Sequence, residues 1–262
     1  MKIIALMENT AAVPDVLSEH GLSLYLEGKG HRILFDTGQS ENFAVNAKRL
    51  GVDLAAVDLA ILSHGHYDHG GGLKRFLELN QKAPVYLSVY AFEPHFNGVK
   101  DIGIDPKLRE SGRLRFVKEK TVLDEGLELY PMTEFSLKDP VDSGGLFTLR
   151  EGKRLEEDFR HEQYLLIREG AKKILISGCS HAGIRNIAGW FEPDVLVGGF
   201  HFKNLDPRGE GRAVLEQAAE ELKKHSACYY TCHCTGTAQY GFLKERMGDR
   251  LHYLAAGAEL TL

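Results

Sequence analysis

Several things that this sequence lacks each remove a class of protein. Only four of its 262 residues are cysteine (Cys179, Cys228, Cys232 and Cys234), too few for a disulfide framework in a chain this long. They read instead as free thiols or metal ligands, three of them crowded near the C-terminus. No apolar run approaches the roughly 20 residues of a membrane span, so no membrane partner is expected. The N-terminal run Met1-Lys2-Ile3-Ile4-Ala5-Leu6-Met7-Glu8 is too short and too soon acidic for a signal peptide, which makes a cytoplasmic location the expectation. Positive charge is not in excess: 32 Lys and Arg stand against 37 Asp and Glu, a net charge of −5. That balance argues against dedicated nucleic-acid binding. Internal repeats, low-complexity tracts and flexible linkers are absent as well. The expectation is a single domain over residues 1–262, which at this length buries roughly three quarters of its unfolded surface without staples.

What is present alternates between strand and helix patterns. Lys2 to Asn9, Leu22 to Glu27 and His31 to Phe35 read as strands, the last two joined through Gly28-Lys29-Gly30 as a hairpin. A helix is expected from about Glu41 to Leu50, a strand at Leu59 to Leu62, a helix at Leu73 to Asn80 and a strand at Val85 to Tyr90. From Phe92 to Arg160, short β-like runs lie among turn residues and charges, which suggests hairpins and loops bordering a site. Strands at Gln163 to Ile167, Lys173 to Ser177, Asp194 to Gly198 and Cys228 to Thr231 follow, with helices near Ile184 to Trp190 and Gly211 to His225. The longer helix carries Val214, Leu215, Ala218, Ala219 and Leu222 at helical spacing. A β-like stretch, Leu251 to Leu262, closes the chain. Two successive halves, each with both element types, fit an α/β chain folded as a four-layer αββα sandwich, although periodicity alone allows other α/β folds.

The chemistry concentrates in Ser63-His64-Gly65-His66-Tyr67-Asp68-His69-Gly70-Gly71-Gly72. Four metal-competent side chains fall within six residues, between an apolar strand and a helix. Imidazole nitrogen and carboxylate oxygen suit zinc, and also iron or manganese. Packing gives no reason to place three histidines and an aspartate on one short loop. The glycines that follow allow a turn sharp enough for the ligands to converge.

The His64-x-His66-x-Asp68-His69 pattern resembles the signature of the metallo-β-lactamase superfamily, and Leu34-Phe35-Asp36-Thr37-Gly38 resembles its strand-plus-Asp-Thr-Gly element. Gly178-Cys179-Ser180-His181-Ala182-Gly183, Gly198-Gly199-Phe200-His201-Phe202 and Thr231-Cys232-His233-Cys234-Thr235-Gly236 extend the likeness to one branch. That branch is named for dihydropterin ribofuranosyl-aminobenzene phosphate synthase, of the methanopterin pathway. The resemblance implies the αββα sandwich and two divalent metal ions, zinc first, with iron or manganese also suited. It gives His64 and His66 to one ion and Asp68 and His69 to the other, with Asp36 orienting a ligand loop; a plain turn residue is the other reading of Asp36. Where relatives often carry a bridging aspartate, Cys179 stands, with His181 two residues on. Either supplies the ligand, and the tendency of buried cysteines to be inert favours His181. His233 fits the last ligand, taken to point away from Cys232 and Cys234 on one strand. His201 is a ligand, a substrate-facing donor or a structural histidine. No further histidine motif lies before Cys179: only His95 and His161 fall in that interval, which leaves one metal site in question. His20, His31, His225 and His252 have no partner motif and read as surface or packing residues.

The activity so implied is hydrolysis by a metal-activated hydroxide, with Asp68 and His201 as catalytic candidates. The substrate is a small molecule carrying a phosphate monoester or diester, similar to a pterin-linked ribosyl phosphate. Thioester or lactone hydrolysis, and a non-catalytic metal or ligand sensor on the same fold, are the alternatives. Lys107, Arg109, Arg113 and Arg115 read as a solvated charged face rather than as a phosphate site.

Overall fold

The computed structural model describes residues 1–262. Successive side chains of a strand point to opposite faces, and in the strand Lys2–Met7 both faces are buried. Ile3 and Ala5 enter one apolar cluster, Ile4 and Leu6 another. A strand buried on both sides sits between two layers. The sheet that holds it runs Glu259–Thr261, Lys2–Met7, Ser23–Gly28, His31–Phe35, Leu59–Ile61, Val85–Ser88 and Leu114–Val117. The second sheet runs Leu251–Tyr253, Cys228–Thr231, Val195–Val197, Lys172–Ile176, Gln163–Glu169, Leu127–Pro131 and Thr121–Asp124.

The inner faces of the two sheets meet in one cluster, in which Ile33, Phe35 and Ile61 of the first join Leu165, Ile174, Ile176 and Val197 of the second. Each fully buried Leu or Ile there contributes about 1.5–3 kcal/mol. Helices Asn42–Arg49 and Leu73–Leu79 lay Phe43, Ala47, Leu73 and Phe76 on the outer face of the first sheet. Helices Ile184–Phe191, Gly211–Lys223 and Thr237–Met247 lay Ile187, Leu215, Leu222 and Leu243 on the outer face of the second. The layers are therefore α, β, β, α, the architecture that the sequence implied.

Strand directions decide where a site can form. His31–Phe35, Leu59–Ile61 and Val85–Ser88 pair in parallel, as do Lys172–Ile176, Val195–Val197 and Cys228–Thr231. Parallel neighbours deliver their carboxyl ends to a common edge, where α/β folds gather their functional loops.

Three features differ from expectation. Helix Thr237–Met247 was not anticipated, because Gly241 interrupts it and only Gln239, Leu243 and Met247, spaced by four, are buried. The C-terminal stretch is two strands, Leu251–Tyr253 in the second sheet and Glu259–Thr261 in the first. The middle segment divides: Leu114–Val117 joins the first sheet and Leu127–Pro131 the second, while His95–Asn97, Lys100–Asp101, Leu146–Arg150 and Lys153–Glu156 form a separate four-stranded sheet.

Candidate metal centre

Five strand ends converge at one edge of the sandwich. His31–Phe35 runs into Asp36 and Leu59–Ile61 into Ser63 to His69. Lys172–Ile176 leads to Cys179 and His181, Val195–Val197 to His201, and Cys228–Thr231 to His233. Asp36, Ser180, His201 and His233 all hold left-handed backbone, with φ of 61°, 59°, 57° and 49°. Such conformations cost a non-glycine residue about 1–3 kcal/mol and persist where the surroundings over-determine them.

Asp36 is the hub of the first sheet's contribution. Its fully buried carboxylate accepts hydrogen bonds from the Ser63 amide and hydroxyl, each 2.7 Å, and from His69 Nδ1 at 2.6 Å. His64 Nδ1 in turn donates to Ser63 Oγ at 2.8 Å. With both Nδ1 atoms engaged, His64 and His69 turn their Nε2 lone pairs the other way, which is how orienting partners fix a ligand's tautomer. Gly178 lies against this hub so closely that a Cβ there would stand 2.2 Å from Ser63 Oγ.

One group of ligand atoms is compact. His69 Nε2 is 3.3 Å from His233 Nε2 and 3.1 Å from Cys179 Sγ, and His233 Nε2 is 3.4 Å from Asp68 Oδ2. Two zinc–nitrogen bonds of about 2.0 Å at a tetrahedral angle place their donors about 3.3 Å apart, so these atoms fit an ion without rearrangement. His233 is braced by the end of the first strand: its Nδ1 donates to Asn9 Oδ1 at 2.8 Å, and its amide donates to the buried Glu8 at 2.5 Å.

The second group is His64, His66 and His181. Their ring centroids stand 4.6, 4.9 and 5.0 Å apart, each pair close to perpendicular. Nε2 of His64 and His66 and both nitrogens of His181 are buried with no hydrogen-bond partner. Buried polar groups are otherwise almost always paired, and a metal ion among these rings would take up one nitrogen of each. Cys179 also lies within ligand range of His64 and His181, so its sulfur stands between the two groups.

The electrostatics agree with metal binding, which requires neutral imidazoles. Burial, helped by neighbouring histidines, pushes His64, His66 and His181 well below the ordinary histidine range. His69 differs: burial, the largest single influence, lowers it, but Asp36 together with Asp68 and Cys234 more than offsets burial and raises it to about 8. For Asp68 burial alone would raise the carboxyl, yet hydrogen bonds from His20 and His233 hold it well below the usual carboxylate range.

All the metal-capable residues singled out in the sequence, His64, His66, Asp68, His69, Cys179, His181 and His233, are brought together here. The choice between Cys179 and His181 dissolves, because both reach the centre. His201 joins its rim, with its ring 4.3 Å from that of His181 and a buried, unpartnered Nδ1. Two expectations need correction. The strand ends at Thr231 and His233 begins a helical turn, so alternation does not set its direction; Cys232 faces the inter-sheet core and Cys234 approaches Cys179 and His201. His20 is no bystander, since its Nε2 is 3.0 Å from Asp68 Oδ2. The cations nearest the site are Lys100 and Lys203, which line the cavity over the cluster together with His20 and His201. Glu8 and Asn9 had no signal in the sequence beyond their place at a strand end.

The chain matches the family model of the metallo-beta-lactamase superfamily over residues 19–221. It is 29% identical to the 7,8-dihydropterin-6-methyl-4-(beta-D-ribofuranosyl)-aminobenzene-5'-phosphate synthase of Methanocaldococcus jannaschii, covering 96% of this chain and 94% of that protein. A second protein of that organism, the uncharacterised MJ0448, is 28% identical over 89% of this chain and 91% of its own. Among solved structures, Tm1679, a metal-dependent hydrolase of the beta-lactamase superfamily, is 30% identical with a TM-score of 0.85, covering 100% of this chain and 99% of that one. The chain belongs to the metallo-β-lactamase superfamily. Within it, the chain falls in the branch that resembles the dihydropterin synthase.

Proposed function

We propose that this chain is a dinuclear metal-dependent hydrolase of a phosphorylated small molecule. One observation carries the reading: two adjacent sets of ligand atoms, His64–Cys179–His181 and His69–Cys179–His233, share Cys179, with the His66 ring beside the first and Asp68 beside the second. When bound, two zinc ions (or iron or manganese) would supply Lewis acidity and an acidified water at neutral pH. Asp68 would hold one ion and is placed to accept a hydrogen bond from a water there. His201, whose Nδ1 is buried and free, is placed to give a proton to the leaving group. Lys100, steadied by Tyr67 Oη at 2.9 Å, and Lys203, 3.4 Å from His20 Nε2, bracket the cavity with two positive charges. Those charges favour an anionic substrate. A larger cavity of about 330 Å³ shares His181, His201 and Asn204 with the first and has room for the rest of a molecule resembling a pterin-linked ribosyl phosphate. Because the ligands come from both halves of the chain, we read residues 1–262 as one domain.

The test is elemental analysis of the purified protein together with hydrolysis of bis(p-nitrophenyl)phosphate, with and without a chelator. About two metals per chain and chelator-sensitive turnover are expected. No turnover after metal supplementation would leave the fold and remove the activity.

A further inference from the structure

Three of the site histidines have a visible partner on the ring nitrogen that faces away from the centre. His64 has Ser63, His69 has Asp36 and His233 has Asn9. His66 has none, and its Nε2 is buried and unpaired. Behind its ring lies a second cluster, His95, Glu157 and His161, all buried, with one donor atom of each and one of His66 within 4.8 Å of one another. The rings of His66 and His95 are 5.3 Å apart and nearly perpendicular.

Proton positions determine what this cluster can do. His161 Nδ1 accepts the Gly65 amide at 2.8 Å, so in the neutral ring its Nε2 carries the proton and cannot ligate a metal. That removes one of the four donors that a third metal site here would need. His95 is the reverse. Its Nδ1 lies 2.6 Å from Glu157 Oε2 and donates to that carboxylate, which leaves the Nε2 lone pair as a buried acceptor without a partner. His161 stacks on His95 at 4.0 Å between ring centroids and holds that ring in place.

We propose that His95 is the positioning residue of His66. His66 Nε2–H donates to His95 Nε2, His95 Nδ1–H donates to Glu157, and the Nδ1 lone pair of His66 is aimed at the metal. Neither Nε2 is paired here, and a rotation of the His66 ring within the 4.8 Å cluster closes the contact. The chain satisfies two orphaned nitrogens at once and gives His66 what Asp36 and Asn9 give its neighbours: one tautomer and one orientation. It rests on the metal reading above, and it predicts that a residue 29 positions away from His66 along the chain controls one ion and leaves the other alone.

Zinc alone is the probe, and its two affinities are read by competition with a chromophoric chelator, beside the melting temperature of the metal-free protein. His95→Phe should weaken one of the two zinc ions by about 10–100-fold and leave the other unchanged, the usual effect of removing a ligand's orienting partner. Glu157→Gln should weaken the same ion in the same direction. His95→Gln, whose amide both donates to Glu157 and accepts from His66, should restore affinity to within about threefold of wild type. Should His95→Phe fail to fold, the contrast between Glu157→Gln and His95→Gln decides. A purely structural cluster would lower the melting temperature of the metal-free variants and leave both affinities intact, which overturns the proposal. Three zinc ions in wild type with one lost in His95→Phe would also overturn it, because the cluster would then itself be a metal site. Wild type that takes up no zinc would sink the metal reading along with it, an outcome distinct from intact affinities in the variants.

Discussion

The two halves of the centre are built differently although they touch. Around Asp68, His69 and His233 the donors include a carboxylate and an imidazole raised to about 8, and the atoms hold one another at 3.1–3.4 Å. Without an ion, that half can satisfy much of its own charge. His64, His66 and His181 are three buried rings, each with an Nε2 that has no hydrogen-bond partner. A set of opposite charges can be stable as a hydrogen-bonded cluster, whereas a set of like lone pairs can be satisfied only by a cation or a proton. The half without charge is thus the stronger sign that a metal belongs there.

The largest effect expected from breaking this comparison is at Asp68. Asp68→Ala should lower kcat on a phosphodiester by on the order of 10³-fold, since it removes a ligand and a proton acceptor together. Steady-state kinetics at saturating zinc would measure it, and a loss under tenfold would deny Asp68 both roles. His181→Ala should act on the other half, lowering the zinc count from two to one per chain and kcat by roughly 10²-fold. Plasma emission analysis of the dialysed variant would check this; two retained ions would show that Cys179 or another donor replaces it.

Once metal is stripped, His69 should respond to pH with the opposite sign from His64, His66, His181 and His233, the last of which burial also lowers. In the unfolded chain all of these histidines titrate near pH 6.5. His64, His66 and His181 are held well below that when folded, so below about pH 6.5 the unfolded state binds more protons and stability falls with falling pH. The slope is up to about 1.4 kcal/mol per pH unit for each such histidine. His69, raised to about 8, contributes stability that is present below about pH 6.5 and lost as pH rises through its folded value. Urea midpoints of the metal-free protein should therefore peak near pH 6.5 and fall more steeply on the acid side; a flat profile would contradict the burial argument. The smallest effect belongs to the rim: Lys203→Ala should raise KM for an anionic substrate about fivefold, from an interaction near 1 kcal/mol, with kcat little changed. A KM indifferent to this change would move phosphate recognition elsewhere.

The most legible part of the site was the part local in sequence. His64, His66, Asp68 and His69 lie on one loop, and their spacing brings them together whatever the rest of the chain does. Asp36, Cys179, His181 and His233 were visible through their strand-end contexts. Contributions that depend on a distant packing partner were not. Glu8 and Asn9 reach His233 across more than 220 residues, and His20 meets Asp68 from a loop without a motif. His95 and His161 were visible only as histidines in an interval that lacks a motif, and the fold packs both against the ring of His66. Helix Thr237–Met247 escaped notice because its apolar stripe is thin and a glycine sits within it.

By itself the sequence determined most of the strands and helices and the metal loop, because side-chain period and ligand spacing are local; the sandwich was legible through the family resemblance that the motifs carry, since periodicity alone allowed other α/β folds. Tertiary structure alone decided that Cys179 lies within reach of both His64 and His69, that His181 packs against His64 and His66, and that Glu157 lies behind His95 rather than at the surface. Those outcomes turn on which nitrogen of each ring is already hydrogen-bonded, and only the packing of the two sheets against each other fixes that.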